Sequence, residues 1–128
     1  MSKEREKIYT PLVAKPHHGI SQAIKYGDLI FVSGQVGEGL DEVPLEGIEA
    51  QVEKAIENLK AVLEAAGSSL DKVIMCRCFI QNMEDIGPMN QVYDKYFADM
   101  EVGPARYTVV ASPVAKDYLF EIAAFAAV

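Results

Sequence analysis

From Gly47 to Ala66 the apolar residues Ile48, Val52, Ala55, Ile56, Leu59, Val62, Leu63 and Ala66 recur at steps of three and four. Glu49, Glu53, Lys54, Glu57, Lys60 and Glu64 occupy the other positions, so the spacing predicts an amphipathic helix with one buried face. Gly67 stops it, and Ser68 and Ser69 begin a loop. Elsewhere the pattern shortens to strands. Leu29 to Val32 is a continuous apolar run leading into Ser33-Gly34-Gln35-Val36, and a shorter strand over Ile20 to Ile24 precedes it. Tyr26-Gly27-Asp28 between them predicts a hairpin.

Lys72 to Ile80 reads as another strand, broken by Gln81-Asn82. A second helix runs from near Asp85 or Pro88 to Phe97, with Met89, Val92, Tyr93 and Tyr96 on one side. After a turn at Gly103-Pro104, strands over Ala105 to Ala111 and Tyr118 to Ala127 finish the chain, joined by S-P-V-A-K-D. The opening Met1 to Lys7 is charged and aperiodic, and reads as a fraying arm. This order favours one α+β domain over 1–128, with a mixed sheet and both helices on one face. The other face is then bare. Small or apolar residues expected on it, among them Val109, Ala111, Ala124 and Ala126, predict that further copies of the chain cover it in a closed ring.

Composition narrows the function. With 128 residues and 50% hydrophobic content the chain can build a packed core, and its net charge of −7 disfavours nucleic acid as a partner. No apolar run approaches the roughly 20 residues a membrane span needs, and M-S-K-E-R-E-K lacks the apolar core of a signal peptide, so a cytoplasmic protein is expected. The two cysteines, Cys76 and Cys78, fall on one face of a strand, poorly placed to close a disulfide, and read as reduced core thiols. A C-x-C metal pair lacks further ligands nearby, and no metal is assigned.

The residue richest in chemistry is Arg106, placed after Gly103-Pro104 at the head of a β-branched run. Its planar fork matches a carboxylate, although a surface or salt-bridged arginine has the same sequence signature.

The wider chain decides between these readings. Ser21-Gln22-Ala23-Ile24, Phe31-Val32-Ser33-Gly34-Gln35, Gln51, Ala55 and Asn58 with Val62 to Ser69, Met89 to Phe97, Pro104-Ala105-Arg106 and Glu121-Ile122 stand in one order and spacing. In that order the chain resembles the RidA family, also called YjgF/YER057c/UK114, from about Ser21 to Phe125. The resemblance implies a chorismate-mutase-like α+β fold, a homotrimer, and clefts between subunits that bind small carboxylates. It implies hydrolysis of enamines and imines such as 2-aminoacrylate to 2-oxo acids and ammonia, without cofactor or metal. Arg106 then grips the substrate carboxylate, Ser33 and Gly34 line the cleft, and Asn90 has a part that looks more structural than chemical.

Two positions depart from the family pattern. Ile20 stands where a tyrosine is usual, and Ala123 where a second glutamate is thought to position water; both are expected to line the cleft. Strand alternation puts Glu121 on the face of Ala123, about 6–7 Å away, so Glu121 is a candidate replacement as well as a candidate interface charge. His17 or His18 could supply a missing donor, or simply be solvated. Tyr107 points opposite to Arg106, into the helix layer or a subunit contact. Three functions follow: an imine deaminase, a trimeric protein that binds small carboxylates without turnover, and an endoribonuclease or translation inhibitor, which the acidic charge disfavours.

Overall fold

A computed structural model describes residues 3–113 and 115–128. Six strands, β1 (Glu6–Ile8), β2 (Ala23–Tyr26), β3 (Leu29–Val36), β4 (Val73–Ile80), β5 (Ala105–Val110) and β6 (Phe120–Ala127), form one sheet in the order β1-β2-β3-β6-β4-β5. Helix α1 (Ile48–Ala65) connects β3 to β4, and α2 (Ile86–Phe97) connects β4 to β5. Only β4 and β5 pair parallel as neighbours; the other pairs are antiparallel, because β6 inserts between β3 and β4. Both helices cover one face, as the periodicity predicts.

The predicted elements form for local reasons. The apolar stripe of α1 is buried, from Val52 through Ile56 and Leu59 to Leu63. Gly67, at φ 82, ends the helix as Ser68 N–H donates to the Leu63 carbonyl at 2.8 Å and Gly67 N–H to Glu64 at 3.1 Å. The hairpin of β2 and β3 turns through Gly27, whose φ of 61 suits a residue without Cβ. Two polar residues on the buried side of α1 fasten it to loops. Asn58 donates to the Val36 and Glu38 carbonyls, each at 3.0 Å. Gln51 donates to Leu45 and Asp117 carbonyls and accepts from Leu119 N–H at 2.8 Å. Leu59 is fully buried, so Leu59→Ala is expected to cost about 2–5 kcal/mol, read as a fall in urea midpoint at unchanged m-value.

Three expectations need correction. The opening arm is partly ordered: Glu6–Ile8 pairs with Lys25–Ala23 as an edge strand, since backbone pairing needs no apolar pattern and edge strands tolerate charge. The strand expected over Ile20 to Ile24 begins at Ala23, because the turn at His17 to Ile20, closed by Ile20 N–H to the His17 carbonyl at 3.1 Å, runs further. Ala124 and Ala126 are fully buried beneath the helices rather than outward, and β6 presents Glu121, Ala123, Phe125 and Ala127 to the open face. Small side chains there let α1 approach the sheet closely. Val109 is exposed as expected, at the β5 edge.

The open face is nonetheless apolar. Leu29, Phe31, Tyr107 and Val109 are exposed on it, and Phe31 packs edge-on against Phe125 with centroids 5.3 Å apart. Arg77 lies among them, its guanidinium 5.0 Å from the Phe125 centroid and its Nε buried without a hydrogen-bond partner. Among the described residues, no helix is long and apolar enough to cross a membrane.

Candidate functional site

The S-G-Q segment forms a β-bulge. Val32 pairs with Ala124 and Gln35 with Ile122, so Ser33 and Gly34 together stand opposite Ala123. The bulge is tied down on both sides. Ser33 Oγ donates to the Ser21 carbonyl at 2.7 Å, and Ser33 N–H to Gln22 at 3.0 Å. Gln22, buried, accepts from Thr10 N–H at 2.7 Å and donates toward Thr10, Val13 and Ala14 carbonyls, which sets the course of the loop before β2. Gly34 has a steric reason: a Cβ there would lie 2.1 Å from Glu121 Oε2. The Glu121 carboxylate therefore rests directly against the bulge. Burial pushes its pKa up, and the Arg77 charge only partly opposes that.

Beside the bulge opens a pocket of about 310 Å³ whose walls include His17, His18, Ile20, Ser33, Gly34 and Tyr118. Ile20 faces it with 54% of its surface exposed, whereas Ala123 is 3% exposed at the back of the bulge and does not line the cavity. His18 takes a left-handed φ of 58 followed by Gly19 at 73, and this turn carries both histidines to the rim. His17 Nε2 pairs with Glu42 Oε1 at 2.8 Å; both groups are exposed, so the pair is worth little as stability. The Tyr118 hydroxyl donates to Glu38 Oε1 at 2.6 Å, and its pKa is pushed up to about 12 by burial and by Glu38. It remains a donor.

Arg106 lies elsewhere. It pairs with Cys76 in the β4–β5 register, and two strands, β6 and β4, separate it from the bulge strand, a gap of about 14 Å. Its guanidinium lies over the Tyr93 ring, 4.6 Å from the centroid, on the helix side of the sheet. Tyr107 accordingly faces the open side, not the helix layer. Two buried polar atoms lack hydrogen-bond partners on these same elements: Thr108 Oγ1, two residues along β5, and Asn90 Oδ1, one turn before Tyr93 on α2. Cys76 and Cys78 are buried free thiols, as predicted, with pKa values pushed up to about 11 and about 12 by desolvation, which keeps them protonated and poor nucleophiles. Among the described residues, no three of His, Cys, Asp and Glu gather closely enough to hold a metal ion.

The sequence-predicted residues thus fall into two groups within one chain. Ser33, Gly34, Ile20, His18, Ala123 and Glu121 collect around the bulge, and Arg106 with Asn90 at the β5 edge. Tyr93 and Thr108 were not legible as site residues. The one signal for Tyr93 was its helical spacing toward the sheet, which reads equally as core.

Comparison with known proteins gives the chain's family and fold. The family model described as endoribonuclease L-PSP matches residues 12–128. A RutC family protein of Saccharolobus solfataricus is 43% identical over 124 residues, 95% of this chain and 97% of the relative. The chain belongs to the RidA family. Another RidA-family relative, from Dermatophagoides farinae, is 33% identical, covers 90% of each chain, and bears the name 2-iminobutanoate/2-iminopropanoate deaminase. Among solved RidA-family structures, Escherichia coli TdcF with bound serine superposes with a TM-score of 0.89 at 27% identity, covering 96% of this chain and 98% of that one. The Yersinia pestis Rid protein YyfA gives a TM-score of 0.91 at 32% identity, covering 98% of this chain and all of that one. The α+β fold read from the sequence is the fold of these proteins.

Proposed function

We propose that the protein is an imine and enamine deaminase whose active site is completed between copies of a homotrimer. The observation that carries this is Arg106: a cation held over the Tyr93 ring, with no carboxylate partner among the described residues and with the unpartnered Thr108 Oγ1 two residues along the same strand. A small carboxylate supplies the acceptor that the guanidinium and the Thr108 hydroxyl lack. Its chemistry is supported by the relative named a deaminase and by the relative crystallised with serine, itself a small carboxylate.

Arg106 and the bulge pocket are too far apart in one chain to hold one small molecule. A second copy brings its Arg106 to the first copy's Ser33 and Gly34. The apolar open face, with Leu29, Phe31, Tyr107 and Val109 exposed, is the surface such copies bury. Phe31→Glu is therefore expected to give a folded monomer, by light scattering and circular dichroism, with deaminase activity lost in parallel; a fully active monomer sinks the shared site.

In the reaction, Arg106 holds the substrate carboxylate and Ser33 and Gly34 line the reacting end. Water adds to the imine carbon as the π electrons move to nitrogen, and Glu121, in contact with Gly34, takes the water proton. Glu121 returns that proton to nitrogen, giving a carbinolamine, which then collapses: the hydroxyl proton passes to nitrogen as the C=O bond forms and the C–N bond breaks, and ammonia and a 2-oxo acid leave. Orientation and electrostatics supply most of the acceleration, because the imine carbon is already electrophilic.

Ile20 and Ala123 favour a second reading, carboxylate capture without turnover, since neither offers a polar group to the cleft. The two readings separate in one assay. A dehydratase generates 2-aminoacrylate or 2-iminobutanoate, and 2-oxo acid release is followed with and without the protein. Acceleration over the uncatalysed rate at neutral pH is expected; its absence beside intact binding of 2-oxobutanoate leaves capture as the function.

A further inference from the structure

The guanidinium of Arg106 is the top layer of a stack. Beneath it lies Tyr93, 4.6 Å from the guanidinium carbon to the ring centroid, and beneath Tyr93 lies Phe97, with ring centroids 4.4 Å apart and planes 27° from parallel. Tyr93 and Phe97 are four residues apart on α2, so they share one helix face, and both are buried. Cys76, a buried thiol, is the register partner of Arg106 across β4 and β5. The ring is thus braced by its helix neighbour beneath.

We propose that Tyr93 is a positioning residue for the carboxylate anchor: its ring fixes the plane of the Arg106 guanidinium, so that one face is occupied by the aromatic platform and the N–H edge stays free for bidentate contact. This rests on Arg106 being the carboxylate anchor. An unstacked arginine would carry several rotamers into the binding step and lose that freedom when the carboxylate arrives. Contact through the ring face uses none of the five N–H donors, which distinguishes it from a salt bridge as a means of holding the side chain. Sequence reading assigned Tyr93 to the core, where its body indeed lies. The polar consequence belongs to its upper face.

The test compares Tyr93→Phe and Tyr93→Leu with Arg106→Ala in the full-length assembled protein. Tyr93→Phe keeps the platform and is expected to keep KM for the imine and the inhibition constant of 2-oxobutanoate within about twofold of wild type. Tyr93→Leu is expected to raise both roughly five- to tenfold with kcat little changed. In the Arg106→Ala background it should add nothing, because the residue it positions is gone. Unchanged carboxylate affinity in Tyr93→Leu, or a further loss on top of Arg106→Ala, overturns the positioning role. An Arg106→Ala protein that binds 2-oxobutanoate like wild type overturns the carboxylate anchor itself, a separate outcome. A measurement on the wild type covers the case in which Tyr93→Leu does not fold. The Arg106 Nε–H in ligand-free protein should show ring-current displacement and an order parameter near that of rigid backbone, and a freely mobile Nε–H overturns the proposal.

Discussion

Arg106→Ala is expected to lower kcat/KM for 2-aminoacrylate-type substrates by roughly a hundredfold. Truncating one partner of a desolvated charge pair typically costs about 2–5 kcal/mol, and each 1.4 kcal/mol is a factor of ten. Most of the loss should fall on KM, since the carboxylate is gripped in the ground state and in the transition state alike. A smaller fall in kcat follows because a loosely held substrate presents its imine carbon less often to the attacking water. Arg106→Lys should recover little: an ammonium has no planar group to set over Tyr93 and offers a point charge in place of a two-pronged edge. The fold should survive both changes, because the guanidinium makes no ion pair among the described residues. Steady-state kinetics with thermal unfolding as control decide it, and a lysine variant of full activity would show that charge without geometry suffices.

Glu121→Gln is expected to lower kcat by about two orders of magnitude, the usual scale of a general base. Its pH signature separates this from a packing effect. Burial raises the Glu121 pKa, so wild-type activity should fall as pH drops through that raised value, and the glutamine variant should show a flat, low profile over the same range. Stability moves the other way. A carboxylate whose folded pKa lies above its unfolded value of 4.5 binds more protons when folded, so its ionisation weakens the fold as pH rises from the unfolded value through the folded one. Removing the charge abolishes that loss. Glu121→Gln should therefore be at least as stable as wild type at neutral pH, and the two should converge below the unfolded pKa. A variant both less active and markedly less stable at pH 7 would instead assign Glu121 to structure. The isosteric amide also keeps the contact with Gly34, so the bulge itself is not disturbed.

These two residues differ in how they could be found. Arg106 stood out in a short motif, a fixed cation after a Gly-Pro turn, but its carboxylate role was legible only from the order of motifs along the wider chain. Glu121 was legible from its place in the Glu121-Ile122 motif and from strand alternation beside Ala123, but nothing local indicated that the bulge would fold Gly34 under its carboxylate. Tyr93 was read as core since its spacing on α2 matches that of any buried residue, and its contact with Arg106 joins elements far apart in sequence.

By itself the sequence determined most of the elements, although not the edge strand Glu6–Ile8 or the start of β2. The 3.6-residue stripe of α1, the Gly67 stop, the Gly27 turn and the single-face placement of Cys76 and Cys78 all depend on interactions within a few residues, which a linear pattern records. Strand order was beyond it. F-E-I-A-A-F-A-A in β6 is apolar at nearly every position, so the sequence did not say which face meets the helices, and packing against α1 buried Ala124 and Ala126. Inserting β6 between β3 and β4 is a choice among long-range pairings of similar local strength, made by the sheet as a whole. That insertion is also what separates Arg106 from the Ser33–Gly34 bulge by two strands within one chain.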